Sequence, residues 1–134
     1  MIADNEILLR LVVAALIGGI IGFERRSVHK PAGLRTHMLV SLGAALFTIL
    51  SFGIFPDDPA RIIAGIVTGI GFLGAGTIFR AKDHISGLTT AASLWAVSAV
   101  GIGIGLGEYF LVAVSTILIL LVLELNRIEF FREI

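Results

Sequence analysis

The chain has no cysteine. That excludes disulfides, thiolate metal ligands and cysteine nucleophiles, and leaves redox compartment open. Charge is scarce too: 15% of the 134 residues are Asp, Glu, Lys or Arg, against about a quarter in soluble domains. Ten bases and ten acids cancel to a formal net charge of zero, so nothing in the balance draws the chain to nucleic acid. Catalytic patterns are missing as well. There is no nucleophile elbow, no GxxxxGK(S/T) phosphate loop and no acid pair placed for proton transfer. The run Gly101, Gly103, Gly105 follows no strand and lies in an apolar stretch, which removes it as a nucleotide fingerprint. These absences predict a non-enzyme without a cofactor.

What is abundant is apolar. Hydrophobic residues fill 57% of positions and the mean hydropathy is +1.02. A bilayer core about 30 Å thick needs roughly 17 to 25 helical residues to cross it. Runs of that length, bounded by charge, predict an all-α polytopic bundle of five transmembrane helices, at 7–23, 34–55, 62–79, 88–106 and 109–125. The N-terminal order, acids before the apolar run and bases after it, is the reverse of a signal peptide and predicts a retained first helix. Arg10 interrupts that helix, with Glu6 four residues before it, and is expected to snorkel to the headgroups. Pro56 and Pro59 bracket Asp57 and Asp58 in a turn, and Gly105 to Glu108 make a tight reversal. The segment NRIEFFREI reads either as the start of an interfacial helix or as the stub of a longer tail.

Lysine and arginine set the expected orientation. Arg25, Arg26, Lys30 and Arg35 flank the first loop, Arg80 and Lys82 the third, and Arg127 and Arg132 the tail. Five spans put all three on one side, so the N-terminus is expected outside and the C-terminus in the cytoplasm. No charged residue stands near the middle of a span, which argues against a pump or coupled transporter.

Lipid gives helices no hydrophobic reason to associate, so small residues must pack them. Ala14, Gly18 and Gly22 make one stripe on the first helix, and this stripe is the first candidate for a homo-oligomer seam. Gly65, Gly69, Gly71, Gly74 and Gly76 turn to several faces of the third, which is expected to be surrounded. On the fourth, Gly101, Gly103, Gly105 and Gly107 recur at every second position, about 200° apart, so they cannot form one stripe and predict a distorted or unwound segment. Two readings stay open for these glycines: tight packing, or backbone carbonyls lining a polar path. The hydroxyls at depth, Ser41 and Ser93 among them, are expected to bond their own helix or a neighbour. Trp95 is expected to be a packed indole, with Thr68 or Ser93 accepting its N–H.

Polar chemistry gathers at the basic rim. Glu24 and Arg25 close the first helix, Arg35 and His37 open the second, Arg80 and Asp83 follow the third, and Thr89 and Thr90 open the fourth. Glu24 at a helix C-terminus opposes the dipole and needs a base, with Arg35, Arg25 or Arg80 at hand. The rim reads in two ways. It is a set of interfacial charges gripping lipid headgroups, or a docking site for a partner or small anion built on Arg35, His37, Arg80 and the amides of Thr89 and Thr90. A metal site on His37, His84, Glu24 and Asp83 is the weaker reading, since no paired ligand spacing is present.

Four stretches resemble the membrane domain of the MgtC/SapB family: GFERR (22–26), AGLRTHMLVSLGAALF (32–47), ARIIAGIVTGIGFLGAGTIFR (60–80) and GLTTAASLWAVSAVGIGIGLG (87–107). The resemblance implies a multi-pass protein of the bacterial or archaeal cytoplasmic membrane, tied to magnesium limitation, stress adaptation and survival inside host phagocytes. It also implies a modulator that restrains partners such as the F-type ATP synthase. A passive channel or carrier is the alternative. Two departures from the family pattern stand out: Thr89 and Ala96 occupy positions where many relatives have Asn and Cys. The soluble C-terminal domain of longer members is expected to be absent, leaving 1–134 as a single transmembrane domain.

Overall fold

The computed structural model describes residues 2–81 and 84–125. Its elements run α1 (Asp4–Ser27), α2 (Leu34–Ile54), α3 (Pro59–Ala75), β1 (Phe79–Ala81), β2 (His84–Ser86), α4 (Leu88–Leu106) and α5 (Tyr109–Glu124). The five helices alternate in direction. Contacts of Gly18 with Ser41 and of Gly22 with His37 set α1 against α2, while Gly101 on Ser41 and Gly105 on Thr48 make α4 parallel to α2. α1, α2 and α4 are long and apolar enough to cross a membrane; α3 and α5 are shorter, at 17 and 16 residues.

Helix α1 places Asp4 and Glu6 in its first turn and Arg25 and Arg26 in its last, each sign facing the end of the helix dipole that favours it. The core runs along the α1–α2–α4 seam through Ala14, Ile21, Ala45, Val97 and Ile104, and is closed by Val112 and Leu123 of α5. The Ala14–Gly18–Gly22 stripe is spent on α2. A methyl group on Gly18 would sit 2.6 Å from the His37 carbonyl oxygen, and one on Gly22 would sit 2.8 Å from that of Gly33. A face used inside the chain is not free for a second copy, which corrects the expected seam.

The fourth helix is continuous to Leu106, not unwound. Its alternating glycines serve two neighbours. Gly101 and Gly105, one turn apart, admit the backbone of α2, and Gly103, on the other side, admits Val112 of α5. Gly107, at φ +83°, then ends the helix in the left-handed conformation.

Helix α3 ends at Ala75, short of the expected 79. Gly71, Gly74 and Gly76 weaken its last turns, and the Thr77 hydroxyl caps them by donating to the Gly74 carbonyl at 2.8 Å. An antiparallel hairpin of β1 and β2 follows, pairing Phe79 with Ser86 and Arg80 with Ile85. It returns to α4 through Gly87, whose φ of +91° and contact with the Thr77 carbonyl leave no room for a side chain. Nor is α3 surrounded: a methyl group added at Gly65, Gly69 or Gly71 would meet nothing within 4 Å, and only Ile70 and Gly74 of the helix are buried. Gly65 and Gly69 instead look into an open apolar groove of about 580 Å³ toward Gly43 and Phe47 of α2.

Arg10 is engaged within the protein. It bonds the Glu6 carboxylate at 2.9 Å and donates to the Gly105 carbonyl at 2.6 Å, and Tyr109 donates to the same carboxylate at 3.0 Å. A carbonyl at the C-terminus of α4 suits a guanidinium, because it carries the negative end of the helix dipole. The segment 126–134, including the expected interfacial helix, lies outside the described residues.

Candidate polar site at the basic end of the bundle

The expected rim divides in two. Glu24, Arg25, His37 and Thr90 are buried, whereas Arg35, Arg80 and Thr89 are exposed; Asp83 lies outside the described residues.

Burial of the first set follows from local packing. Gly22 lets α1 close on the start of α2, so that a methyl group there would come within 2.9 Å of the His37 Cβ, and Arg25 follows one turn later on α1. Gly33, as the N-cap of α2, offers its carbonyl oxygen to the His37 ring at Nδ1, 3.0 Å away. That oxygen can only accept, so Nδ1 carries the ring proton. Nε2 lies 3.0 Å from the Ser93 hydroxyl, which is also 2.8 Å from the Thr90 carbonyl and has one proton for the two acceptors. His37 thereby ties α2 to α4 across the seam.

Arg25 proves to be the base beside Glu24, with Nε 3.0 Å from Oε2. The pair is close but misaligned. Both carboxylate oxygens, together with Nε and Nη1 of Arg25, lack a hydrogen-bond partner, as does Ser41 Oγ further along the seam. Arg25 is 1% exposed and Glu24 7%. Among the described residues no group of three or more His, Cys, Asp or Glu side chains comes together as a metal centre, and His84 is exposed on the hairpin.

Ser41 and Ser93 belong to this site, though composition alone marks them only as hydroxyls at depth. Their positions carry the signal: Ser41 is one turn beyond His37, and Ser93 is three residues beyond Thr90, so each shares a helix face with a rim residue. Trp95 is a correction. It is 55% exposed, and the hydroxyls expected to meet it are engaged elsewhere, Thr68 with the Ala64 carbonyl and Ser93 with Thr90 and His37. The buried faces of α4 approach their neighbours too closely for an indole.

A helical membrane protein with a buried polar cluster near one end is the class that this fold and site define. The family model described as the MgtC family matches residues 11–129, and the chain belongs to that family. It is 46% identical to the "Putative magnesium transporter YhiD" of Escherichia coli (strain K12), over 95% of this chain and 63% of that protein. It is 48% identical to "Protein MgtC" of Salmonella typhimurium (strain LT2), over 84% of this chain and 49% of the relative. "Protein MgtC" of Brucella abortus (strain 2308) is 49% identical over 87% of this chain and 50% of its own length. The chain thus spans about half to two thirds of these curated relatives. No solved structure matches it.

Proposed function

We propose that this chain is a non-enzymatic modulator in the inner membrane, associated with magnesium limitation or stress adaptation and acting through contacts with membrane partners such as the F-type ATP synthase. In this reading all five helices cross the bilayer, α3 and α5 by local thinning of the bilayer around them, with the N-terminus outside and the basic end in the cytoplasm. The observation that carries it is the sealed middle. Between the Arg10 clasp and Ser41, α1, α2 and α4 meet at small residues, with Gly105 against Thr48 and the Ala45 carbonyl, and Ala14 and Ala45 at 0% exposure. Such a seam supports recognition at an end better than passage through the bundle. The exposed Arg35 and Arg80 are the groups that a partner or headgroup would meet first.

The alternative is a passive channel or carrier for an ion or small solute, favoured by the name of the Escherichia coli relative. A liposome flux assay on purified protein separates the two. No selective flux, together with a co-purifying membrane complex, is the expected result; robust selective flux would overturn the modulator role. Charge reversal of Arg35 and of Arg80 is expected to weaken function in cells at normal protein levels, and full function in both would remove the rim from the mechanism.

A further inference from the structure

Two buried ions without aligned partners are costly. Removing a carboxylate or guanidinium from water costs on the order of several kcal/mol, which only good geometry and further hydrogen bonds repay. The Glu24–Arg25 contact has neither: four of its polar atoms are unpartnered, at 7% and 1% exposure of the two residues. Glu24 can only accept and Arg25 can only donate, so whatever completes the pair must do both. Water is the smallest molecule that does. Ser41 Oγ, also unpartnered, lies deeper on the same seam, with His37, Thr90 and Ser93 supplying polar atoms along it.

We propose that the Arg25 end of the α1–α2–α4 seam is a blind aqueous vestibule, holding water from Glu24 and Arg25 past His37 and Ser93 as far as Ser41. Packing sets its floor. A methyl on Gly18 would lie 2.7 Å from the Ser41 Cβ, Gly101 rests on the Ser41 carbonyl, and the next residues along, Ala14 and Ala45, are fully buried. The opposite end is held by Arg10 on the Gly105 carbonyl. The vestibule therefore opens at the Arg25 end and stops at Ser41, separated by Ala14 and Ala45 from the pocket beside Arg10 and Gly105 at the other end. This inference rests on the membrane-crossing reading above and not on the modulator role.

The absence of cysteine makes the test clean. Ser41→Cys and Ser93→Cys are near-isosteric probes, while Ala45→Cys and Thr48→Cys report the dry seam beyond the floor. Each variant is exposed to a membrane-impermeant methanethiosulfonate reagent from one face or the other of oriented vesicles. Because such reagents attack hydrated thiolates, Cys at 41 and 93 is expected to label at least roughly tenfold faster than at 45 or 48, from the Arg25 face alone. Labelling at 41 and 93 as slow as at 45, in protein that elutes like the unmodified chain, would overturn the vestibule. So would equal labelling from both faces. Thr90→Cys serves the same purpose if one of the serine variants does not fold. One-sided labelling without a co-purifying complex would support the vestibule and count against the modulator role alone.

Discussion

Gly101 stands where α4 meets α2, and a methyl group there would run into the Ser41 carbonyl. Backbone cannot rotate aside as a side chain can. Gly101→Val is therefore expected to destabilise the bundle by about 1–3 kcal/mol or to prevent its assembly, read as a lower melting temperature in detergent. Gly71→Val, with open space around it, serves as the control and is expected to leave that temperature nearly unchanged. Arg10 is the other residue whose role depends on its partners. Arg10→Ala removes the donor to Gly105 and the base paired with Glu6, and is expected to cost about 1.5–3 kcal/mol. Tyr109→Phe, which removes one hydrogen bond to Glu6, is expected to cost about 0.5–1.5 kcal/mol by the same thermal assay. Equal losses from the two variants would show that the clasp does not depend on the guanidinium. The Glu6–Arg10 pairing is legible in the sequence as a four-residue spacing. Its extension to Gly105 is not, because a contact spanning 95 positions leaves no local pattern.

At the scale of elements, the existence of each helix is legible in the sequence and its ends are less so. Continuous apolar runs locate all five helices within a few residues, since burial and length leave little choice. The end of α3 escapes this reading because Ile78 and Phe79 continue the hydrophobic run while the backbone has already left the helix. Hydropathy reports where a side chain prefers to be, not the conformation that puts it there. The glycines at 71, 74 and 76 are the available sign of a weak helix end, and Gly87 marks where the hairpin closes. Gly87→Ala is expected to cost more than the roughly 1–2 kcal/mol of a left-handed non-glycine residue, because the added methyl also meets the Thr77 carbonyl. Disorder in the hairpin with α1, α2 and α4 intact, seen as faster amide exchange confined to 77–88, is the expected outcome. Exchange unchanged there would mean that the turn does not hold the hairpin. In the polar site, Glu24, Arg25, His37 and Thr90 are legible as chemistry concentrated at helix ends. Their division from the exposed Arg35, Arg80 and Thr89 depends on how α1 and α2 rotate against each other, which charge counts do not contain.

At the scale of the whole molecule, the distribution of small residues separates contacts made within the chain from contacts still available. Gly18, Gly22, Gly101 and Gly105 are consumed by the seam between α1, α2 and α4. Gly65 and Gly69, at the same four-residue spacing, remain open on α3 beside the apolar groove, and Gly43 across it is equally open. In a bilayer a smooth glycine face gains its contacts only by packing against another helix or lipid chains. We propose that the chain forms a homodimer or higher homo-oligomer, and this open face is the one on which lipid chains and a second copy compete. Gly65→Leu combined with Gly69→Leu fills the face without touching the seam. The double variant is expected to keep the melting temperature of the monomer fold while losing resonance energy transfer between donor- and acceptor-labelled chains in liposomes. Energy transfer retained at the wild-type level would move self-association to another face, and loss of transfer together with lower stability would show that α3 closes on α2 within one chain.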